Sequence, residues 1–147
     1  PFFLRHFGIK RVMLISMFAW VFRFGLFGLG DPGSGLWMLI LSMIVYGMAF
    51  DFFNISGSLF VELEAKPEIR ASAQGLFFMM TNGLGAIIGG YASGAVVDAF
   101  SVYSDGMLIS REWPDIWFIF AGYALVIGIL FALVFRYKHQ PEELSKK

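Results

Sequence analysis

Asp51 lies inside an apolar run covering residues 36–60, well away from either end of it. Such a run is long enough to cross a hydrocarbon layer. A carboxylate at that depth costs about 2.5–3.5 kcal/mol on insertion scales. Something must offset that cost: protonation, a paired cation, or a wet cavity. Its helical neighbours bear on the choice. At about 100° per residue, Tyr46, Gly57, Phe50, Asn54, Gly47, Ser58 and Asp51 share one sector of a helix. Met43, Ile44, Met48, Phe52, Ile55 and Leu59 mostly fall outside it. The sector offers a carboxyl, an amide, a phenol, a hydroxyl and an aromatic ring. Rings stack on a planar or ring-shaped solute, while the carboxyl and amide hydrogen-bond hydroxyls or ring nitrogens. A sugar or a nucleoside fits that mix; a bare metal ion or a fatty chain fits poorly. Asp51 is also a reasonable proton carrier. The competing reading is a helix–helix seam held by Asn and Ser; the carboxyl and the rings favour a solute-lining face.

The rest of the chain must hold that face in a membrane. Of 147 residues, 58% are hydrophobic, 18 are Phe and 15% are charged, and the mean hydropathy is +0.71. A soluble domain carries roughly 45–50% apolar and about 25% charged residues, so a soluble enzyme is not expected. Lys and Arg equal Asp and Glu at 11 each, without the basic excess of a nucleic-acid binder. Cys is absent, and His6 and His139 stand far apart, so neither a metal site nor a cofactor is expected.

A membrane-crossing helix needs about 20 apolar residues. Four runs qualify: 12–29, 36–60, 73–100 and 116–135. They lack the alternation of barrel strands, which leaves helices as the structure that pairs every backbone group in lipid. The expected class is therefore an all-α membrane protein of four transmembrane helices. Residues 1–4 read as the end of a preceding span, and the opening Pro-Phe-Phe-Leu suggests a chain cut from something longer. Connections are expected at 5–11, at the turn cluster 30–35 (GDPGSG), at 61–72 and at 101–115, with a polar tail over 136–147.

Basic residues orient the spans. Nine of them (Arg5, Lys10, Arg11, Lys66, Arg70, Arg136, Lys138, Lys146 and Lys147) fall on one side, against Arg111 on the other. The positive-inside rule places loops 5–11 and 61–72 and the tail in the cytoplasm. Arg23 lies within the first span, where it either snorkels to the outer interface or pairs with a carboxylate. The third span holds Gly85, Gly89, Gly90 and Gly94 as two G-x-x-x-G motifs, which predict close helix packing. Thr81 and Asn82 are weaker solute-contact candidates, and Asp98 reads as solvated. The mixed charges Glu62, Glu64, Lys66, Glu68 and Arg70 read as a solvated turn, with a conformational latch as the alternative.

The segments SMIVYGMAFDFFNISGSLFVE and IRASAQGLFFMMTNGLG, with FGIKRVMLIS and WFIFAGYALV, resemble bacterial nucleoside permeases of the nucleoside:proton symporter family within the major facilitator superfamily. The resemblance covers almost the whole chain. It implies part of a twelve-helix carrier, here the end of helix eight through helix twelve, in the bacterial inner membrane. It implies proton-coupled nucleoside import by alternating access, with the remaining helices of the carrier, nucleoside, protons and lipid as partners. Carried over to this sequence, Tyr46 and Phe50 contact nucleoside and Asp51 serves proton coupling or sugar hydroxyls; Asn54 joins them from the helical wheel alone. Two other readings stay open: a non-transporting membrane interaction module, and a sugar:proton symporter.

Overall fold

The computed structural model describes residues 2–104 and 106–137. Pro1, Lys138, His139, Lys146 and Lys147 lie outside them. Four helical segments are long and apolar enough to cross a membrane: His6–Leu29, Leu36–Glu64, Arg70–Ala99 and Trp113–Val134.

The first helix, α1, runs Phe2–Leu29 without an intervening loop. The connection expected at 5–11 is instead a kink at Gly8, whose φ of 76° lies in the left-handed region. An L side chain is strained there and glycine is not, so one residue redirects the chain where a loop was expected. The turn after α1 is closed by Asp31. Its carboxylate accepts from the Gly33 N–H at 2.6 Å and the Gly35 N–H at 3.1 Å. A Cβ on Gly35 would meet the Asp31 backbone nitrogen at 2.5 Å, so the turn needs glycine at that position.

The second helix, α2, spans Leu36–Glu64, four residues beyond the apolar run. Glu62 and Glu64 therefore stand on the helix and not in a loop. Its buried positions Ser42, Ala49 and Ser56 recur every seven residues. Small side chains at that repeat let two backbones approach. The Ser16 hydroxyl uses that proximity, donating to the Ala49 carbonyl at 2.6 Å.

The third span is not one continuous α-helix. It is α3 (Arg70–Phe78), a π-helical turn (Met79–Leu84) and α4 (Gly85–Ala99). The Gly85 N–H donates to the Met80 carbonyl five residues back, and the Thr81 hydroxyl donates to the Phe77 carbonyl at 2.8 Å. Backbone groups displaced by the wider turn are thus paired locally, as lipid requires. The G-x-x-x-G face of α4 packs on nothing among the described residues: a Cβ on Gly89, Gly90 or Gly94 would meet open space.

The polar link after α4 contains a hairpin, β1 (Ser101–Ser104) antiparallel to β2 (Met107–Arg111), with Gly106 at φ 77°. The last helix, α5, spans Trp113–Val134 and starts with Pro near its N-terminus, where a missing N–H costs nothing.

Helix α1 is the middle of the bundle, with α2 and α5 on either side. Ile9, Val12 and Met13 form its buried core, packed by Phe52, Phe53, Leu59, Phe60 and Leu63 from α2 and by Phe131 from α5. Lys10 pins the same end, its ammonium donating to the Ala132 carbonyl at 2.9 Å. At the other end Gly28 lies against Phe118, where a Cβ would sit 3.1 Å from the ring.

Candidate functional site

Helix α2 turns its Ser42–Ala49–Ser56 stripe to α1, and the polar sector predicted from the sequence lies beside that seam. Tyr46 and Phe50 are each 40% exposed, and Asp51 is exposed. The Tyr46 and Phe50 rings stand 5.9 Å apart, centroid to centroid, and tilted. Together they form a short aromatic wall on the helix. Asp51 follows Tyr46 by five residues, a rise of roughly 7–8 Å, so the carboxyl sits deeper along the helix than the phenol. Asn54 is half-buried, and its amide N–H donates to the Phe50 carbonyl at 2.9 Å. That bond orients the amide along its own helix, leaving its oxygen available.

The same sector changes character toward the end of α2. The Ser58 hydroxyl donates to Gln74 Oε1 at 3.0 Å, and Gln74 Nε2 donates to the Ser58 carbonyl at 2.7 Å. Gly57 admits the Phe77 ring so closely that a Cβ there would overlap it. Gly57 and Ser58 are therefore helix-packing residues. Tyr46, Phe50 and Asp51 remain open. One helical sector thus holds a packed part around Gly57 and Ser58 and an exposed part at Tyr46, Phe50 and Asp51, divided by height.

Thr81 and Asn82 fall in the π-helical turn, with the Asn82 amide donating to Thr81 Oγ1 at 3.2 Å. Asp98 is exposed near the end of α4. No group of three or more His, Asp or Glu with metal-binding proximity occurs among the described residues.

Arg23 meets aromatic rings and no carboxylate among the described residues. Its Cζ lies over four rings: Trp20 at 5.0 Å, Phe24 at 5.5 Å, Phe27 at 5.2 Å and Tyr46 at 4.4 Å. Three of the rings come from its own helix and the fourth from α2. The cage extends into α5, where Phe27 stacks on Trp117 at 4.7 Å and Phe24 lies 5.8 Å from Phe120. Trp20 also meets the Tyr46 ring edge-on at 5.4 Å. The signal was present in the sequence: Trp20, Arg23, Phe24 and Phe27 follow the i, i+3, i+4, i+7 spacing of one helix face. Nothing in the sequence identified Tyr46 as the ring from the neighbouring helix.

A concavity of about 440 Å³ lined by Met17, Ile127, Leu130, Phe131, Val134, Phe135 and Arg136 lies between α1 and α5 and includes none of the four site candidates.

Known proteins resemble this chain along nearly all of its length. The pattern of the nucleoside H+ symporter family matches residues 1–140. The xanthosine permease of Escherichia coli (strain K12) is 57% identical over 148 residues, which cover 100% of this chain and 34% of that protein. The nucleoside permease NupG of the same organism is 56% identical over 140 residues, 95% of this chain and 32% of the relative. The crystal structure of the nucleoside transporter NupG superposes with a TM-score of 0.83 at 56% identity, over 94% of this chain and 33% of that one. The chain spans about a third of the length of the relatives it matches.

Proposed function

The chain belongs to the nucleoside H+ symporter family, and from that membership we propose that it forms the C-terminal part of a twelve-helix carrier importing nucleosides with protons. The carrier sits in the bacterial inner membrane with residues 5–11 and 61–72 and the tail on the cytoplasmic side. The observation that carries the reading is the open α2 face. Tyr46, Phe50 and Asp51 place two rings and a carboxyl on the exposed surface of a helix whose other exposed side chains are mainly apolar, among them Met43, Ile44, Met48 and Ile55, in a chain 56% identical to a nucleoside permease.

The mechanism follows from the order of groups along α2. Solute arriving from outside meets the Tyr46 and Phe50 rings first. A nucleobase stacks on aromatic faces, a contact worth about 1–3 kcal/mol per base. Asn54 and Asp51 lie deeper and hydrogen-bond the sugar hydroxyls. A proton on the Asp51 carboxyl removes the charge that opposes closure of the site around solute. The two halves then rock about the site, and it opens inward. The π-helical turn at Met79–Leu84 interrupts the third span, and such turns often mark functional positions within helices. It supplies a place where that span can bend.

Uptake of radiolabelled uridine by cells producing the full-length carrier tests this. Acid-stimulated, uncoupler-sensitive uptake that unlabelled nucleosides compete supports it. Competition by sugars and not by nucleosides replaces the solute, and absence of uptake from correctly inserted protein removes the transport reading.

A further inference from the structure

We infer that Arg23 is a positioning residue for the solute site, holding the Tyr46 ring in place from the neighbouring helix through a cation–π contact. This rests on the reading of Tyr46 as a nucleoside contact.

The geometry is specific. The guanidinium carbon is nearer the Tyr46 ring, at 4.4 Å, than any of the three rings of its own helix. Arg23 Nε is buried with no hydrogen-bond partner among the described residues. The cation at this depth is thus met by ring faces, which attract it through their quadrupoles. Holding an unpaired cation within a span is costly, and a residue that bears that cost marks a function by default. Here the partner it favours is the ring that opens the proposed site.

The contact reaches across the α1–α2 interface at a defined height. Ser42, one turn before Tyr46, donates its hydroxyl to the Arg23 carbonyl at 3.4 Å. Backbone and guanidinium of one residue thereby hold the same stretch of α2. Trp20 closes on the edge of the Tyr46 ring, so the ring is constrained by both, while 40% of the residue stays exposed. A ring fixed before solute arrives binds more tightly than one that must be ordered on binding. The effect of Arg23 therefore falls on solute affinity and spares the translocation step.

The test measures uridine uptake by the full-length carrier at matched amounts in the membrane, for Arg23→Met, Arg23→Lys, Tyr46→Leu and the double variant Arg23→Met/Tyr46→Leu. Methionine keeps the length and apolar stem and removes the charge. Arg23→Met raises the half-saturation concentration on the order of tenfold with the maximal rate retained. Arg23→Lys falls between it and the parent, because an ammonium also binds ring faces. The double variant is no weaker than Tyr46→Leu alone, the mark of a shared interaction. The proposal is overturned by an unchanged half-saturation concentration in Arg23→Met, by a loss confined to maximal rate, or by full additivity with Tyr46→Leu. If Arg23→Met does not reach the membrane, Arg23→Lys decides in the same way, compared with and without Tyr46→Leu. Should Tyr46→Leu raise the half-saturation concentration while both Arg23 variants leave it alone, the Arg23 inference fails and the site reading stands. Should Tyr46→Leu itself change nothing, both fail.

Discussion

The guanidinium of Arg23 in α1 lies over the ring of Tyr46 in α2, 4.4 Å from its centroid. A charge inside a membrane span is conventionally matched by a carboxylate. Here the match is an aromatic cage, and one wall of that cage belongs to the face on which Asp51 stands. Arg23 and Asp51 are therefore tied to one surface, one by holding its ring and one by sitting on it.

Replacing either ring of the aromatic wall weakens solute binding. Tyr46→Leu and Phe50→Leu each raise the half-saturation concentration for uridine on the order of tenfold, consistent with about 1–3 kcal/mol per stacked base. Both side chains are partly exposed, so membrane insertion persists; thermal stability stays near the parent's for Phe50→Leu and falls for Tyr46→Leu, which removes one wall of the Arg23 cage. Concentration-dependent uptake together with a melting curve in detergent checks both halves of that statement.

Asp51→Asn separates binding from coupling. An amide keeps the shape and one hydrogen-bond acceptor of the carboxyl but does not take up a proton at physiological pH. Uridine accumulation driven by an inward proton gradient is lost in proteoliposomes of the variant carrier, while exchange of internal for external uridine persists. Accumulation at the parent rate, with the parent's dependence on pH, would assign coupling to another residue.

Much of this was legible in the sequence. The four apolar runs, their helical character and the polar face around Asp51 all follow from the length of the runs and the period of their polar residues. Three features were not. The kink at Gly8 replaces a loop, because polar residues at a membrane surface give the same composition whether helical or not. The π-helical turn differs from an α-helix only in its i→i+5 bonding, and Thr81, Asn82 and Gly83 within it occur in ordinary membrane helices too, so no pattern announces it. The ring over Arg23 comes from another helix, and one sequence does not reveal which faces meet. The glycines of α4 meet open space at Gly89, Gly90 and Gly94 within the described residues, so the close packing their motif predicts has no partner helix there.

Gly57 is a packing position, and its substitution acts on stability first. Gly57→Val drives a branched side chain into the Phe77 ring, and overpacking of this kind costs about 1–3 kcal/mol. The detergent melting temperature falls. Phe77→Ala in the same protein recovers part of the loss, since the overlap is with that ring. A Gly57→Val melting curve that matches the parent would mean that α2 and α3 do not approach in this way.

The central claim is that the Tyr46–Phe50–Asp51 face of α2 borders water and solute. In a cysteine-free version of the full-length carrier, cysteine is introduced singly at Phe50, at Asn54 and, as a reference, at Val126, which is exposed on the apolar surface of α5. Each variant is treated with a water-soluble, membrane-impermeant thiol reagent, with and without uridine. Labelling that uridine slows is expected at Phe50→Cys and Asn54→Cys, and none at Val126→Cys. Labelling at Val126→Cys with none at the two α2 positions would contradict the claim.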